Sequence, residues 1–541
     1  MRMVVRRFGA AAIAVGMVAG AVLSALAGPA AAQTAAGEMV IRIGNGGDPE
    51  TLDPHRITSI TGDTVVLNLC EGLVAFDAGY NAVPGLAESW TTSADGKTWT
   101  FTLREGLKWS DGTPFTAEDY VWSLRRSVTP ATIPGFPEFL YSIENAQAIV
   151  KGEMPPESLG VSSPDPRTIV FRLWRPFPDF LTFGAAQRGM YPLQRAAVER
   201  HGAEFTRPGN FHCTGPFILD EAVPQSHMRL VRNPHYWDAA NVKPDVVYYY
   251  ASEDSNTEVR RFRAGELHLT NTVPATQLDW LRANMPDSLK IVQGASTYYY
   301  MPNLKNAPWK DNPKLRTALA MAIDREGLTR GVTRGGEVPA YTVVPPGLKG
   351  YVPARPEWAD WSREKQVAEA KRLYAEAGFG PGKPLQVEIL YNTLERHRQI
   401  AVAVAAMWKQ ILGVEVTLNN VEWKVLLEIQ GAKTYKDMVR RTWISTFPFS
   451  HLDLLRGTAQ PAASVGYANP EFDRLMAEAD AIPDRDAYYA RMRQAEALAV
   501  ADMAIIPVMH DTQRRLADPR LRGFIPNGAA VHPAKFMWLE E

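Results

Sequence analysis

The residues that most often carry catalysis or bind metals do not form a recognisable cluster in this sequence. Its ten histidines and two cysteines are dispersed, and it has no HExxH motif, no GxSxG nucleophile turn and no glycine loop followed by Lys-Ser/Thr. The run GNGG at 44–47 lacks the third glycine of a dinucleotide loop and continues into Asp48-Pro49 instead of a helix. We therefore predict no catalytic residue, no metal ion and no cofactor.

Two further groups of polar residues are interpreted as neither a metal site nor a catalytic pair. His397 stands between Arg396 and Arg398, a setting too positive for an obvious metal ligand. Glu253 and Asp254 are adjacent carboxylates, which we interpret as solvated loop charges and not as an acid/base pair. The absence of motifs lowers the probability of catalysis without excluding it.

The elements that position these residues alternate between strand-like and helix-like patterns, with no fixed repeat. Thr116 is a predicted helix N-cap, because Asp119 stands at the third following position and apolar residues then recur with helical spacing. By the same patterns, further helices are predicted at Pro313–Ile323, Arg363–Ala377, Leu394–Leu412 and Arg485–Ala501, and strands at Met39–Gly44, Thr98–Arg104, Thr168–Leu173, Met228–Arg232, Leu385–Tyr391 and Val414–Val421. This mixture predicts an α/β or α+β architecture.

The first residues have the pattern of a secretory signal peptide. Arg2, Arg6 and Arg7 precede an apolar stretch that ends near Leu26, and a string of small residues follows. We predict cleavage after Ala32, so that residues 1–32 are removed. No cysteine follows the apolar stretch, which predicts that the protein is not a lipoprotein. A membrane anchor and twin-arginine export are the less favoured alternatives.

Composition limits the remaining possibilities. A chain of 541 residues exceeds the ~250–300 residues at which single cores stop growing, so we expect at least two lobes. No Ser/Gly linker or charge block separates them, as expected for lobes built from discontinuous segments. A net charge of −1 argues against a nucleic-acid partner. Cys70 and Cys213 allow one disulfide in an oxidising compartment, or two free buried thiols.

A series of motifs along the chain resembles one family, the extracytoplasmic solute-binding proteins of oligopeptide and dipeptide transport (family 5). The motifs, in order, are ETLDPH (50–55), NLCEGLV (68–74), PGLAESW (84–90), TWTFTLREGLKWSDGTPFTAEDYVWS (98–123), NPHYWD (233–238), VRRFRAGELHLT (259–270), TYYY (297–300), LRTALAMAIDRE (315–326), LYNTLERH (390–397) and VEWK (421–424). The resemblance covers essentially all of the predicted mature chain.

This resemblance implies a fold and a division of the chain. The fold is an α/β, two-lobed periplasmic binding protein of type II, of the large class with an extra inserted subdomain, and a hinge closes it on the ligand. The implied parts are the lobe I core (38–68, 201–295 and 508–541), the inserted subdomain of lobe I (69–200) and lobe II (296–507). Strand edges in such a cleft can pair with a peptide main chain, and hydrated pockets tolerate varied side chains.

Site residues are carried over where the motifs align. Asp48 is implied to lie in a lobe I loop beside the ligand, and Tyr298 to line the cleft. His397 and Arg440 correspond to positions that meet a peptide carboxylate, for which a cationic fork is suited. Trp423 matches a pocket tryptophan. The segment Arg441, Thr442 and Trp443 matches an edge strand. As alternatives, Trp423 and Tyr298 are ordinary core or wall aromatics and Arg440 is a surface charge.

One departure from the family concerns the far end of the ligand. Thr446 occupies the position of an aspartate that pairs with the ligand ammonium, and a hydroxyl cannot neutralise a buried ammonium. Either Asp453 or Asp48 replaces that aspartate, or the ligand lacks a free cationic N-terminus. The family's disulfide also has no counterpart, because Ser296 and Ile444 stand where its cysteines align.

The implied function is that of the periplasmic substrate-binding component of an ABC importer, a monomer that delivers oligopeptides or peptide-like ligands to the membrane permease. One alternative is a receptor for an N-blocked or non-peptide anionic ligand, such as an opine-like compound or a modified peptide. A periplasmic hydrolase, and a signalling receptor or chaperone with the same fold, are the others.

Overall fold

Strands form where side chains alternate between core and solvent. In the segment Thr98–Leu103 every second residue (Trp99, Phe101, Leu103) is buried, as the alternation predicts. The computed structural model describes residues 37–132, 135, 139–459 and 464–541. The predicted signal peptide lies outside the described residues.

Helices begin at the predicted caps. The Thr116 backbone N–H donates to the Asp119 carboxylate at 2.8 Å, as in a capping box. The helices predicted near residues 313, 363, 394 and 485 are confirmed to within one residue. The α-helices are α1 Ile60–Leu69, α2 Ala117–Val128, α3 Ala146–Val150, α4 Arg195–His201, α5 Ser255–Arg263, α6 Leu278–Asn284, α7 Pro313–Ala322, α8 Arg325–Gly327, α9 Arg363–Glu376, α10 Glu395–Leu412, α11 Trp423–Ala432, α12 Pro448–Leu452, α13 Pro470–Ala479 and α14 Arg485–Ala501.

The strands include all six predicted segments, each within one residue at either end. They are β1 Val40–Gly44, β2 Val74–Phe76, β3 Ala82–Pro84, β4 Ala87–Thr92, β5 Thr98–Leu103, β6 Val161–Asp165, β7 Thr168–Arg172, β8 Phe217–Val223, β9 His227–Arg232, β10 Val246–Tyr250, β11 Leu289–Pro302, β12 Val338–Pro339, β13 Gln386–Asn392, β14 Glu415–Val421, β15 Met438–Ile444, β16 Ile506–Leu516, β17 Leu521–Arg522 and β18 Trp538–Leu539.

Three larger sheets organise the described residues. The first has the order β1-β10-β9-β8, the second β4-β5-β7-β6, and the third β12-β16-β11-β15-β13-β14. In the third sheet β13 pairs in parallel with β14 and β15, whereas β11 is antiparallel to both β15 and β16. Together with the helices they form the two-lobed α/β architecture of a type II binding protein.

The two longest strands, β11 and β16, are neighbours in the third sheet. Their register shifts between Gln293 and Thr297, so that 294–296 have no regular partners opposite Asp511. The sequence pattern did not predict β11, because its last nine residues are all buried and the alternation disappears. This irregularity lies beside the boundary predicted at 295/296, which stays a prediction.

The two cysteines form a disulfide. Cys70 at the end of α1 is bonded to Cys213, with the Cα atoms 5.1 Å apart, and both residues are buried. Of the two alternatives that the sequence left open, the structure therefore shows the bonded pair. It ties the start of the predicted inserted segment to the chain that follows it.

The predicted inserted subdomain packs on elements of the predicted lobe II through aromatic rings. Phe183 lies 4.8 Å from Phe447 and 4.7 Å from Phe449, and Phe177 lies 5.2 Å from Phe449, between ring centroids. All three contacts are edge-to-face, the arrangement that aromatic quadrupoles favour. This contact joins the segments immediately beyond Thr446 to the rest of the molecule.

Candidate ligand-binding site

The candidate site is built on the paired strands β11 and β15. Tyr298 stands opposite Thr442, and Tyr300 opposite Arg440. Residues directly opposite each other on an antiparallel pair point to the same face, so these four side chains share one face of the sheet. His397, in the first turn of α10, covers this face with its ring 5.6 Å from that of Tyr298.

Arg440 is a buried cation at the centre of this face. It is 8% exposed, and its guanidinium carbon lies 5.4 Å from the ring of Tyr298 and 5.9 Å from that of Trp423. Within the described part of the chain Arg440 forms no ion pair. Its buried Nε, the Tyr298 hydroxyl and the His397 Nδ1 have no partner in hydrogen-bonding geometry there, although the Tyr298 hydroxyl lies close enough to the guanidinium to interact with it. Because a buried charge costs several kcal/mol unless it is paired, this cluster is suited to bind an anion.

The positive charge of the site comes from arginine and not from histidine. Burial, with the charges of Arg440 and Arg396 nearby, lowers the pKa of His397 to about 3, so that its ring is neutral near pH 7. Burial raises the pKa of Tyr298 to about 12, which keeps its hydroxyl protonated. Arg396 itself is paired with Asp511 and Glu337. Arg440 is therefore the cation that a ligand carboxylate would meet.

The edge of β15 beside Arg440 is open. β13 pairs with β15 only at Met438 and Val439. The Ser445 N–H donates to the Ala295 carbonyl, and antiparallel strands alternate between bonded and non-bonded pairs. The main-chain groups of residues 440, 442 and 444 consequently point away from β11. The Arg440 carbonyl accepts from Gln430 Nε2 at 2.7 Å, whereas those of Thr442 and Ile444 face the open side.

Trp423 borders this edge from α11. It is 46% exposed, which is inconsistent with the alternative that it is an ordinary core aromatic. Tyr298, at 1% exposure, is buried beneath His397 and Arg440, so in this conformation it presents no open wall to a cleft.

Arg441 and Trp443 have side chains on the opposite face of the sheet. The Arg441 guanidinium lies 5.4 Å from the Trp443 ring, and Trp443 Nε1 donates to the Ser450 hydroxyl at 3.1 Å. Both alternate with Arg440 and Thr442 along β15, which explains their direction. In this segment the candidate contact with a ligand is the main chain of Thr442 and Ile444.

Thr446 lies just beyond β15, beside the hydroxyl of Tyr80, which itself lies near the ion pair of Asp63 with Arg188. Its hydroxyl is 3.2 Å from the hydroxyl of Tyr80, which comes from the β2–β3 hairpin. Burial raises the pKa of Tyr80, so both groups stay uncharged. A strand rises ~3.3 Å per residue, which places Thr446 within about 20 Å of Arg440 along the chain.

The two carboxylates suggested as replacements for the missing aspartate are engaged elsewhere. Asp453 is paired with Arg456 at 2.7 Å. Asp48 is exposed, and its carboxylate accepts the Gln225 N–H at 2.6 Å; the structure does not bring it into contact with the cluster around Arg440. Ser296 and Ile444, expected in place of two bonded cysteines, are direct cross-strand partners.

Several residues of the site were not predicted from the sequence, namely Tyr80, Gln430 and Ile444 as a main-chain partner. Tyr80 is separated from Thr446 by 366 positions, and no local pattern connects them. A tyrosine at a hairpin tip, with a backbone φ of 61°, was a weak signal at most.

Two features are absent from the described residues. Outside the gaps noted above, no group of three or more His, Cys, Asp or Glu side chains is placed to ligate a metal ion. Over the same ranges, no helix has the length and apolar content needed to cross a bilayer.

Comparison with known proteins gives concordant matches. The profile of the bacterial extracellular solute-binding proteins, family 5 (middle region), matches residues 81–460. The chain is 36% identical over 524 residues to the periplasmic oligopeptide-binding protein OppA of Salmonella typhimurium, with 95% of each chain covered. It is 36% identical over 497 residues to the periplasmic murein peptide-binding protein MppA of Escherichia coli, with 91% of each chain covered.

Solved structures show the same fold. The open, unliganded form of the murein tripeptide-binding protein MppA superposes with a TM-score of 0.85 at 35% identity, over 93% of this chain and 98% of that one. Haemophilus influenzae OppA in complex with the peptide RPPGFSPFR gives a TM-score of 0.74 at 31% identity, over 93% and 99%. With its motifs, its two-lobed fold and these matches, the chain belongs to family 5 of the bacterial extracellular solute-binding proteins.

Proposed function

We propose that this protein is the periplasmic substrate-binding component of an ABC importer, which captures oligopeptides or peptide-like ligands and delivers them to the membrane permease. The observation that carries the proposal is the buried, unpaired guanidinium of Arg440 beside an open strand edge at Thr442 and Ile444. The cation is suited to a terminal carboxylate, and the edge to the adjacent main chain.

Main-chain pairing gives affinity without reading side chains, which suits a receptor for varied peptides. The site offers a hydrogen-bonding strand edge but no nucleophile activated by a base: His397 is buried with a pKa near 3, and its neighbours are arginine and tyrosine. We propose that the guest is released unaltered. Peptide fragments after incubation with purified protein would indicate a hydrolase instead.

Ligand capture is coupled to closure of the lobes in this proposal. The higher TM-score to an open, unliganded relative than to a peptide complex supports an open resting form. A ligand shifts such an equilibrium only through contacts that the closed form makes better. The division into a lobe I core, an inserted subdomain and a lobe II beginning near residue 296 belongs to the same proposal.

Calorimetry with short peptides tests the proposed function. We expect peptides with a free C-terminal carboxylate to bind at least a hundredfold more tightly than their C-terminal amides. Arg440→Met keeps the side-chain volume and removes the charge, so it should abolish that preference. The melting temperature of the unliganded variant should be unchanged or higher, because an unpaired buried cation is removed. Equal binding of acids and amides by the wild type would exclude the carboxylate role of Arg440.

The uncharged Tyr80 hydroxyl beside Thr446 supports a further part of the proposal, that the ligand end opposite the carboxylate is uncharged. Thr446 faces the Tyr80 hydroxyl, and Asp453 is already paired with Arg456. N-blocked or modified peptides are then preferred over ordinary ones. Titration with free and N-acetylated forms of one peptide decides this, because clear preference for the free amine would contradict it.

The site of action completes the proposal. The relatives OppA and MppA are named as periplasmic proteins, and we place this chain in the same compartment, as a monomer exported by residues 1–32 and without a lipid anchor. A deletion strain that still imported the ligand normally would favour a signalling receptor or chaperone.

A further inference from the structure

We infer that the receptor selects ligands that carry a bulky apolar side chain at one of the two positions next to the carboxylate. The inference rests on the proposed function, since it uses Arg440 and the β15 edge as the place of the ligand. It concerns a set of apolar side chains, Leu394, Trp423, Leu427 and Ile444, which we call the apolar rim.

The apolar rim is exposed although its members are large. Leu394 is 52% exposed, Trp423 46%, Leu427 45% and Ile444 68%. Isolated exposed hydrophobics are ordinary, but a contiguous group indicates a surface that is covered in function.

Two of the four residues, Leu394 and Trp423, lie at the same end of the sheet. Asn392 of β13 is paired with Val421 of β14, and the Thr393 N–H donates to the Val421 carbonyl. Leu394 and Trp423 each stand two residues beyond that pair, so both lie at the same end of these parallel strands.

Helix α11 brings Leu427 to the open edge of β15. Trp423 and Leu427 are four residues apart and share one helix face. Gln430, three residues further on that face, donates to the Arg440 carbonyl at 2.7 Å, which holds the helix against the strand. Ile444 points to the same face of the sheet as Arg440, since residues two apart along a strand do so.

The rim thus adjoins both parts of the proposed ligand site. The Trp423 ring is 5.9 Å from the Arg440 guanidinium, and the main-chain groups of Thr442 and Ile444 face the same open side. A ligand anchored by its carboxylate and paired with this edge has its nearest side chains over Trp423 and Leu427. Burying an apolar group there is favourable by its area, whereas a polar group of equal size gains nothing.

The test compares near-isosteric side chains. N-acetylated tetrapeptides with free carboxylates, identical except for Leu or Asn at the last or the next-to-last residue, are titrated by calorimetry. At one of these positions the Leu peptide should bind at least tenfold more tightly than the Asn peptide. Leu427→Asn should reduce that preference below threefold.

A matched variant and a melting curve control for general damage. Val402→Asn alters an equally exposed residue (46%) of α10, and should keep the tenfold preference. Equal affinities of the Leu and Asn peptides for the wild type overturn this inference alone. If Leu427→Asn weakens all peptides equally, the rim is a closing surface between the lobes and the inference is overturned. Failure of every peptide to bind overturns the proposed function as well.

Discussion

At the scale of single residues, the distinction between buried charges that are satisfied and those that are not identifies the site. Arg325 is 1% exposed, but its guanidinium donates to the carbonyls of Ala340, Ala320 and Pro507 at 2.7 Å. Such a cation is structural, because its hydrogen bonds are complete. Arg440 is buried as well, at 8% exposure, but its Nε has no hydrogen-bond partner and its guanidinium forms no ion pair among the described residues. Burying a charged group costs free energy. Where no protein group offsets that cost, the charged group is a candidate for a ligand contact.

Glu496 is the buried carboxyl whose titration should be measurable. It is fully buried and accepts from the Val344 N–H (2.9 Å), the Ala354 N–H (2.8 Å) and the Tyr351 hydroxyl (2.8 Å). Burial raises its pKa to about 7. A raised pKa means that the folded state binds the proton better, so the contribution of Glu496 to stability is greatest below pH 4.5 and declines towards pH 7.

Glu496→Gln should therefore remove a pH dependence. The free energy of unfolding of the variant, relative to wild type, is expected to rise by about 3 kcal/mol between pH 4.5 and pH 7.5. Urea unfolding of both proteins at several pH values measures this difference, in which other titrating groups cancel. A difference that stays constant with pH would show that Glu496 titrates normally.

At the scale of elements, successive residues of β15 direct their main-chain hydrogen-bonding groups to opposite sides of the strand. Odd-numbered residues bond to β11 through their main chain, whereas even-numbered ones face away from it, towards β13 at Met438 and towards the open edge at Thr442 and Ile444. Proline lacks an N–H and is tolerated only where that donor is not used in the ladder. A proline substitution in β15 can consequently test the contribution of one backbone N–H at a time.

Ile444→Pro should remove a ligand contact and leave the sheet intact. The variant loses an N–H that faces the open side, and we expect peptide affinity to fall about tenfold relative to Ile444→Ala, which keeps that N–H. Calorimetry measures the affinities, and circular dichroism melting should give similar temperatures for the two variants. Equal affinities would show that the Ile444 N–H does not meet the ligand.

At the scale of the whole molecule, one covalent bond and one irregular strand pair connect the parts. The Cys70–Cys213 disulfide encloses 143 positions, and the register shift near Gln293 interrupts the strands β11 and β16. The first restricts the unfolded chain, and the second is where we expect the lobes to rotate, because the ladder there is incomplete.

Replacing both cysteines by serine should lower stability strongly. The chain-entropy relation for a loop of this length gives about 5 kcal/mol. Urea unfolding of the double variant against the oxidised wild type measures the loss. Unchanged stability would mean that the bond does not form in the exported protein.

Ligand binding should make the protein more compact. Small-angle scattering is expected to show a smaller radius of gyration with a bound free-acid peptide, because we propose that the resting form is open and closes on the ligand. The corresponding amide, at a concentration that saturates the protein with the acid but not with the amide, is the control. A radius that does not change while calorimetry reports binding would contradict closure at the register shift.

What the sequence by itself determined is local or carried by motifs. Alternation predicted strands such as β5, the Thr116 cap with helical spacing predicted α2, spacing alone predicted helices such as α10 and α14, and ordered motifs indicated the family. These patterns can be recognised in the sequence because each depends on residues that are close together in the chain. The sequence did not predict β11, which is buried on both faces, or the choice between bonded and free cysteines.

Only the tertiary structure decided how distant residues act together. Arg440 and His397 were named together from the resemblance, but their shared burial without an ion-pair partner among the described residues follows from three elements meeting over one face of the sheet. Thr446 was marked as a departure, yet its partner Tyr80 lies 366 positions away. Burial, pairing and strand edges are properties of the packed chain, because they depend on which groups exclude water from which others.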